Sequence, residues 1–182
     1  RKVRCYMKEH TCAITGHRPK SFPWGYNERS SDCVLLKQTL AAQIKALSER
    51  GVTDWLSGMA LGVDLWAAQI VLHLKQEHPA LNLRCILPCQ GQESKWPAPA
   101  KEQYRSLLRQ ADEVWYVSQT YHKNCMLERN RRLVDSAAFL LAVYNGTQRS
   151  GTGMTVRYAR ERGRKIILID PLSKRVVNEG GR

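Results

Sequence analysis

Two rhythms of apolar and polar positions alternate along this chain. Short runs rich in apolar residues recur at 12–15, 52–56, 83–87, 113–118, 137–144 and 166–169, the length of buried strands. Between them, Leu35, Leu36, Leu40, Ile44 and Leu47 repeat at helical spacing up to Gly51, with Asp32 placed to cap that helix. Helices are also predicted over 65–75, 101–110, 126–135 and 156–162, the last one ended by Gly163. Residues 21–29 carry Phe22, Pro23, Trp24, Gly25 and Tyr26 and read as an ordered loop. The tail from Leu172 to Arg182 is polar and is expected to fray. No internal repeat or low-complexity segment is visible. A strand–helix alternation with strands that are apolar throughout predicts an α/β fold, a mostly parallel sheet covered by helices on both faces.

In such a sheet, ligands bind where the strands end at their carboxyl edge, near a topological switch point. Four loops of this chain belong there: 15–19, 57–64, 88–96 and 144–155. The second is the most distinctive, Ser57-Gly58-Met59-Ala60-Leu61-Gly62-Val63-Asp64, between a strand and a helix. Glycines let a backbone approach a ligand with no Cβ in the way, and the helix start offers free N–H groups and a positive dipole end to an anion. Asp64 would repel a phosphate placed directly against it. It is therefore expected to hold the loop or to accept a hydrogen bond from a ribose hydroxyl. The plain alternative is a tight turn whose glycines serve packing alone.

Composition adds bounds. The 182 residues are 43% hydrophobic and 25% charged, ordinary for one soluble domain with its own core. No run approaches the roughly 18 apolar residues of a membrane span, so no membrane association is expected. Six cysteines, Cys5, Cys12, Cys33, Cys85, Cys89 and Cys125, are scattered with no Cys-x-x-Cys pair. That pattern fits buried thiols in a reducing cytoplasm, without a zinc site or a disulfide framework. The net charge of +13 is the unusual property, with many arginines late in the chain. It favours polyanions or phosphorylated small molecules as partners, although for any one arginine a solvated surface is the simpler account.

Candidate ligand-contacting residues follow from position. Arg18 can clamp a phosphate and His17 can donate to one, although a turn histidine is as often a structural hydrogen-bonder. Trp96 and Tyr104 flank the third loop and are placed to line a cleft wall, whereas Trp66, on a helix, reads as core more than as a base-stacking residue. Arg129 and Asn130 begin a basic turn aimed at the same edge, and Tyr144 ends the most hydrophobic strand. His73 and His78 lie on or just after a helix with no partner at metal-ligand spacing, so no metal is proposed. Cys125 lacks an evident base and is a poor nucleophile candidate.

Taken together, Thr15-Gly16-His17-Arg18-Pro19, the Ser57 to Asp64 loop, Pro88-Cys89-Gln90-Gly91-Gln92 and Gly151-Thr152 resemble the YpsA-like branch of the SLOG superfamily, named after the Smf/DprA and LOG proteins. The resemblance covers about 12–171, leaving 1–11 and 172–182 peripheral to a single domain spanning 1–182. It implies a compact Rossmann-like three-layer fold that binds nucleotides or nucleotide-derived ligands, including ADP-ribose-like signals, and no settled reaction for this branch. Many members of the superfamily form homo-oligomers, a state open to this chain as well. In the LOG hydrolases the second glycine-rich turn reads Gly-Thr-x-x-Glu, and that glutamate takes part in cleaving the N-glycosidic bond. Here Thr155 stands in its place, and a hydroxyl cannot act as a general base near neutral pH.

The expectation is therefore a small-molecule nucleotide binder, a sensor, regulator or sequestering protein with no catalytic residue and no required cofactor. Its ligand-binding set is Thr15, Gly16, His17, Arg18, Ser57, Gly58, Met59, Ala60, Gly62, Asp64, Pro88, Gln92, Trp96, Arg129, Asn130, Tyr144, Gly151, Thr152, Gly153 and Thr155. The alternatives are a nucleotide-processing N-glycosidase using Asp64, Glu93 or Glu128, and a DprA-like nucleic-acid binder. The last is less favoured, because the basic residues are not interleaved with aromatics in one stretch, as single-strand stacking platforms tend to be.

Overall fold

A computed structural model of the chain describes residues 8–181; Cys5 and Arg182 lie outside the described residues. Seven strands form one sheet: β1 (Thr11–Gly16), β2 (Asp54–Ser57), β3 (Asn82–Leu87), β4 (Glu113–Tyr116), β5 (Phe139–Val143), β6 (Lys165–Ile169) and β7 (Val176–Glu179). Five α-helices connect them: α1 (Ser31–Glu49), α2 (Val63–Lys75), α3 (Ala98–Gln110), α4 (Cys125–Asp135) and α5 (Gly151–Glu161). The spatial order is β4-β3-β2-β1-β5-β6-β7, and every pairing is parallel except β6 with β7. The chain winds outward from β1 to β4, then crosses back to place β5 on the other flank of β1. The switch point thus lies between β1 and β5, and the loops after β1, β2, β3 and β5 all leave from one edge, as the strand pattern predicts.

The two-residue period of the strands divides the core. Cys12, Ile14, Trp55, Leu83 and Leu141 face one side, where they meet Leu36, Leu40 and Ile44 of α1, Val63 and Trp66 of α2 and Leu107 of α3. Ala13, Leu56, Ile86, Leu140 and Ala142 face the other, against Leu133 and Val134 of α4 and Val156 and Ala159 of α5. Full burial of each such leucine or isoleucine is worth about 1.5–3 kcal/mol, which makes these two layers the main stabilising term. This is the three-layer α/β arrangement of a Rossmann-like fold. Trp66 is core, stacked on Phe22 with ring centroids 5.8 Å apart. No helix among the described residues is long and apolar enough to cross a membrane.

Four local expectations are corrected. Ser30, not Asp32, caps α1, its hydroxyl accepting from the Cys33 N–H at 3.2 Å, while Asp32 pairs with Lys174 at 2.7 Å. Leu35 is 50% exposed, because it falls one position off the stripe made by Leu36, Leu40, Ile44 and Leu47. The glycine-rich turn at 150–155 is not a loop before α5 but its first turn, with Ser150 as cap. The tail does not simply fray. The Asp170 carboxylate accepts the Leu172 and Ser173 N–H groups at 2.9 and 2.8 Å, Lys174 takes a left-handed conformation, and the chain turns back. β7 then closes the open edge of β6, helped by the Arg160–Glu179 ion pair at 2.5 Å.

Candidate functional site

The site is assembled where β1 ends. Gly16 touches the first residue of α2 so closely that a Cβ on it would stand 2.5 Å from Val63 Cβ. His17 follows and is 4% exposed. Its Nε2 accepts the Asn145 N–H at 3.1 Å, which ties the loop after β1 to the loop after β5 across the switch point. The same ring stands edge-on to Phe22 and 6.0 Å from Tyr144. Burial pushes the His17 pKa down, and the Asn145 contact opposes this only in part. An Nε2 that accepts is unprotonated, so His17 holds the Asn145 N–H through Nε2 and carries its proton on Nδ1. Its depressed pKa makes the unfolded chain bind the extra proton first, so stability is full above about pH 6.5 and falls as acid protonates the ring. The stability gained between about pH 5 and pH 7 is expected to shrink in His17→Phe, measured by urea melts across that range.

The loop after β2 is folded in on itself. Ser57 Oγ accepts from the Met59 N–H at 3.1 Å and donates to the Asp64 carbonyl at 3.2 Å. Asp64 Oδ2 accepts the Ala60 N–H at 3.1 Å. Met59 sits at φ 58°, a left-handed conformation held by complete burial of its side chain. The glycines make room for protein atoms. A Cβ on Gly58 would fall 2.4 Å from Arg129 Nη1, and one on Gly62 would fall 2.9 Å from the His17 carbonyl. The space expected to be left open for a ligand is therefore filled from within. Asp64 is buried, which pushes its carboxyl pKa up against the pull of Arg129 and Arg18. Of its two expected roles, holding the loop is the one its contacts serve.

Arg129 reaches in from α4 and is 5% exposed. Its Nη1 donates to the Gly58 carbonyl at 2.5 Å and its Nε to Asn130 Oδ1 at 2.8 Å. Burial lowers its pKa and the Asp64 charge raises it, so the two form a buried pair of opposite charges acting through space. Gln92, from the loop after β3, donates from Nε2 to the same Gly58 carbonyl at 3.1 Å and to the Tyr104 hydroxyl at 3.2 Å. One carbonyl thus gathers α4 and two strand-end loops.

In front of this frame lies a cleft of about 830 Å³. Arg18, Lys20 and Lys95 line it together with Tyr26, Trp96 and Tyr121, the amides of Gln90 and Gln92, and Leu61 and Met126. No acidic side chain among the described residues lines it. Of the expected set, Arg18, Gln92 and Trp96 meet here. Thr15, Ser57, Met59, Ala60, Asp64, Pro88 and Arg129 are buried behind it. Tyr104, expected on the wall, is 2% exposed and supports Trp96 from beneath at 5.2 Å, edge to face. Lys20, Tyr26, Lys95 and Tyr121 were not singled out from sequence; the adjacency of Lys95 to Trp96, and Tyr26 within the aromatic loop, are the signals that carry them.

The second glycine-rich turn does not open into this cleft. The Gly153 N–H is bonded to the Ser150 hydroxyl at 2.9 Å, and the Thr155 hydroxyl donates to the Gly151 carbonyl at 2.9 Å. A Cβ on Gly153 would lie 2.5 Å from the Thr147 carbonyl. With Gly153 served by the cap, the N–H groups of Ser150, Gly151 and Thr152 are the ones without an intrahelical partner by the geometry of a helix start. Thr155 and Asn130 instead line a smaller cavity of about 210 Å³ between α4 and α5. Glu93 pairs with Arg105 at 3.6 Å, and Glu128 stands 3.7 Å from His122. The five described cysteines are free and buried, and burial pushes the thiol of Cys85 up to about 12. Among the described residues, no group of three or more His, Cys, Asp or Glu could hold a metal ion.

With this geometry in view, residues 12–172 match the YpsA family model, described as the YspA SLOG family. The chain belongs to the YpsA SLOG family. Relatives in it include a UPF0398 protein of Halalkalibacterium halodurans, 33% identical over 152 residues that cover 82% of this chain and 79% of that one. Another is the UPF0398 protein YpsA of Bacillus subtilis, 32% identical over 136 residues, 73% of this chain and 74% of the relative. Among solved structures, DNA processing protein A of Streptococcus pneumoniae superposes with a TM-score of 0.61 at 19% identity. That match covers 91% of this YpsA-family chain but only 54% of the DprA chain. TM1055 superposes with a TM-score of 0.55 at 15% identity, over 89% and 75% of the two chains. These two likenesses are of fold.

Proposed function

We propose that the protein binds a nucleotide or nucleotide-derived ligand of the ADP-ribose kind in the cleft at the carboxyl edge of the sheet, as a sensor, regulator or sequestering protein. The observation that carries this reading is the lining: three cations, three aromatics and two amides, with no carboxylate among the described residues. Cations suit the phosphates, aromatic faces suit a base, and the cleft falls within the about 300–1,000 Å³ typical of small-molecule sites. Membership of the SLOG family supports the ligand class. The positions of the carboxylates support binding without hydrolysis. Thr155 replaces the glutamate of LOG hydrolases, Asp64 is buried in its own loop, and Glu93 and Glu128 lie next to other side chains.

Thermal-shift screening against AMP, ADP, NAD, ADP-ribose and cyclic dinucleotides, followed by mass spectrometry of the recovered ligand, tests both halves. A stabilising ligand returned intact is the expected result, since a ligand that binds only the folded state raises its stability by mass action. A ligand returned cleaved overturns the non-hydrolytic half. Arg18 is exposed, so Arg18→Glu is expected to leave the fold intact and weaken binding tenfold or more, whereas Lys45→Glu on α1 leaves it unchanged. Equal affinities in the two variants would place the ligand elsewhere.

A second reading has one observation of its own. The cleft interleaves cations with aromatics drawn from three separate segments, the arrangement that single-stranded nucleic acid uses. Tight oligonucleotide binding that collapses with added salt, with no mononucleotide bound, is the result that would favour it.

A further inference from the structure

Gln92 is half-buried on the loop after β3 and lines the cleft. Its amide nitrogen carries two protons, and both are used, at 3.1 Å to the Gly58 carbonyl and at 3.2 Å to the Tyr104 hydroxyl. A carbonyl has no proton to give, so the nitrogen and not the oxygen of this amide must face Gly58. Gly58 is held in turn by the Arg129 guanidinium, and Tyr104 is buried under Trp96. The side chain is therefore clamped, and its one remaining polar atom is Oε1. No described residue donates to that oxygen, and it is not among the buried polar atoms sealed off without a partner. An amide oxygen so held can accept a hydrogen bond and do nothing else.

We infer that Gln92 is a base-reading residue, and that the ligand is an amino-bearing nucleotide, a 6-aminopurine or a 4-aminopyrimidine. The inference rests on the nucleotide reading above. The base rather than the ribose is assigned to Gln92 because Trp96 and Gln92 are carried by one loop and supported by one residue, Tyr104. A flat ring lying against Trp96 would stand beside Gln92, which lines the same cleft from the same loop, while Arg18 and Lys20, from a different loop, would take the phosphates. An exocyclic amine donates to that oxygen. A 6-oxo or 4-oxo base turns oxygen against oxygen at that position, and its neighbouring ring N–H reaches Oε1 only if the base shifts out of that seat.

Isothermal titration with matched pairs tests this: AMP with IMP, CMP with UMP, and ADP-ribose with its hypoxanthine counterpart. The amino member of each pair is expected to bind about tenfold tighter or more, the scale set by one unpaired acceptor. In Gln92→Met the ratio falls toward one, and 2′-deoxy-AMP follows AMP in both proteins. Equal affinities within the pairs, or a preference that survives in a folded Gln92→Met, overturn the inference. So does a preference for AMP over 2′-deoxy-AMP that Gln92→Met abolishes, since Gln92 would then read the ribose. The comparison in the unaltered protein stands even if the variant unfolds. If none of these nucleotides binds, the nucleotide reading itself falls and takes this inference with it, whereas binding without discrimination overturns this inference alone.

Discussion

Arg129→Met is expected to cost about 3 kcal/mol of unfolding free energy, the scale of losing hydrogen bonds from a buried charged donor together with the cation near a buried carboxylate. The methionine replaces most of the apolar stem, so the loss is chiefly polar. The Gly58 carbonyl loses its 2.5 Å donor, the Asn130 side chain loses another, and the Asp64 carboxylate is left buried without its cation. The pH dependence identifies the cause. Burial already raises the Asp64 pKa, and losing Arg129 raises it further. A raised carboxyl pKa means that the folded protein binds a proton that the unfolded chain has released. The group then supports the fold below about pH 4 and ceases to do so as pH rises through its folded pKa. The deficit of Arg129→Met is therefore small in acid and grows toward neutrality. Adding Asp64→Asn is expected to recover at least about 1 kcal/mol at pH 7, a coupling measured by a double-mutant cycle in urea. A deficit that is flat with pH, or purely additive changes, would show that the charge pair is not what Arg129 serves.

Gly62→Ala is the second large effect, expected to cost about 3 kcal/mol or more through two independent faults. Gly62 caps α2 at φ 93° and ψ −125°, a region that an L-residue with a Cβ enters only under strain. The new methyl would also stand 2.9 Å from the His17 carbonyl and 3.0 Å from Pro19 Cδ. Backbone oxygen and a proline ring have no rotamer by which to step aside, so the loops after β1 and β2 must separate. Gly146 takes a left-handed φ of 88° with nothing near its missing Cβ, so Gly146→Ala isolates the conformational part alone. The excess cost of Gly62→Ala over Gly146→Ala reports the clash together with the less accessible ψ of Gly62. A Gly62→Ala protein as stable as Gly146→Ala would refute the close approach of the two loops.

The strands and helices were readable because each announces itself within its own residues. The apolar runs before Gly16, Ser57 and Pro88 needed no knowledge of what they would pair with, and their parallel order follows from the helices between them. β7 was not readable for the opposite reason. Val176-Val177-Asn178-Glu179 is too polar and short to signal a strand, and it forms because β6 offers an edge and Asp170 turns the chain toward it. The site divides in the same way. Its loops were marked by their glycines, but the use of those glycines was hidden, since the atom that fills the space over Gly58 belongs to a residue 71 positions later. The interleaving of cations and aromatics, absent from any one stretch, appears only when segments around Arg18, Lys95 and Tyr121 are folded together.

The Gly58 carbonyl carries a consequence for how such a cleft can diverge. Its two lone pairs serve Arg129 and Gln92, and Gln92 leans in turn on Tyr104. A change at 92, 104 or 129 strands a polar group that the others had satisfied, and a Cβ at 58 would run into the Arg129 guanidinium, so none of the four is free to change alone. Positions 58, 92, 104 and 129 are thus expected to change together or not at all. Arg18, Lys20, Lys95 and Tyr121, which answer to no such partner in that frame, are where drift can reshape what the cleft prefers without first dismantling it.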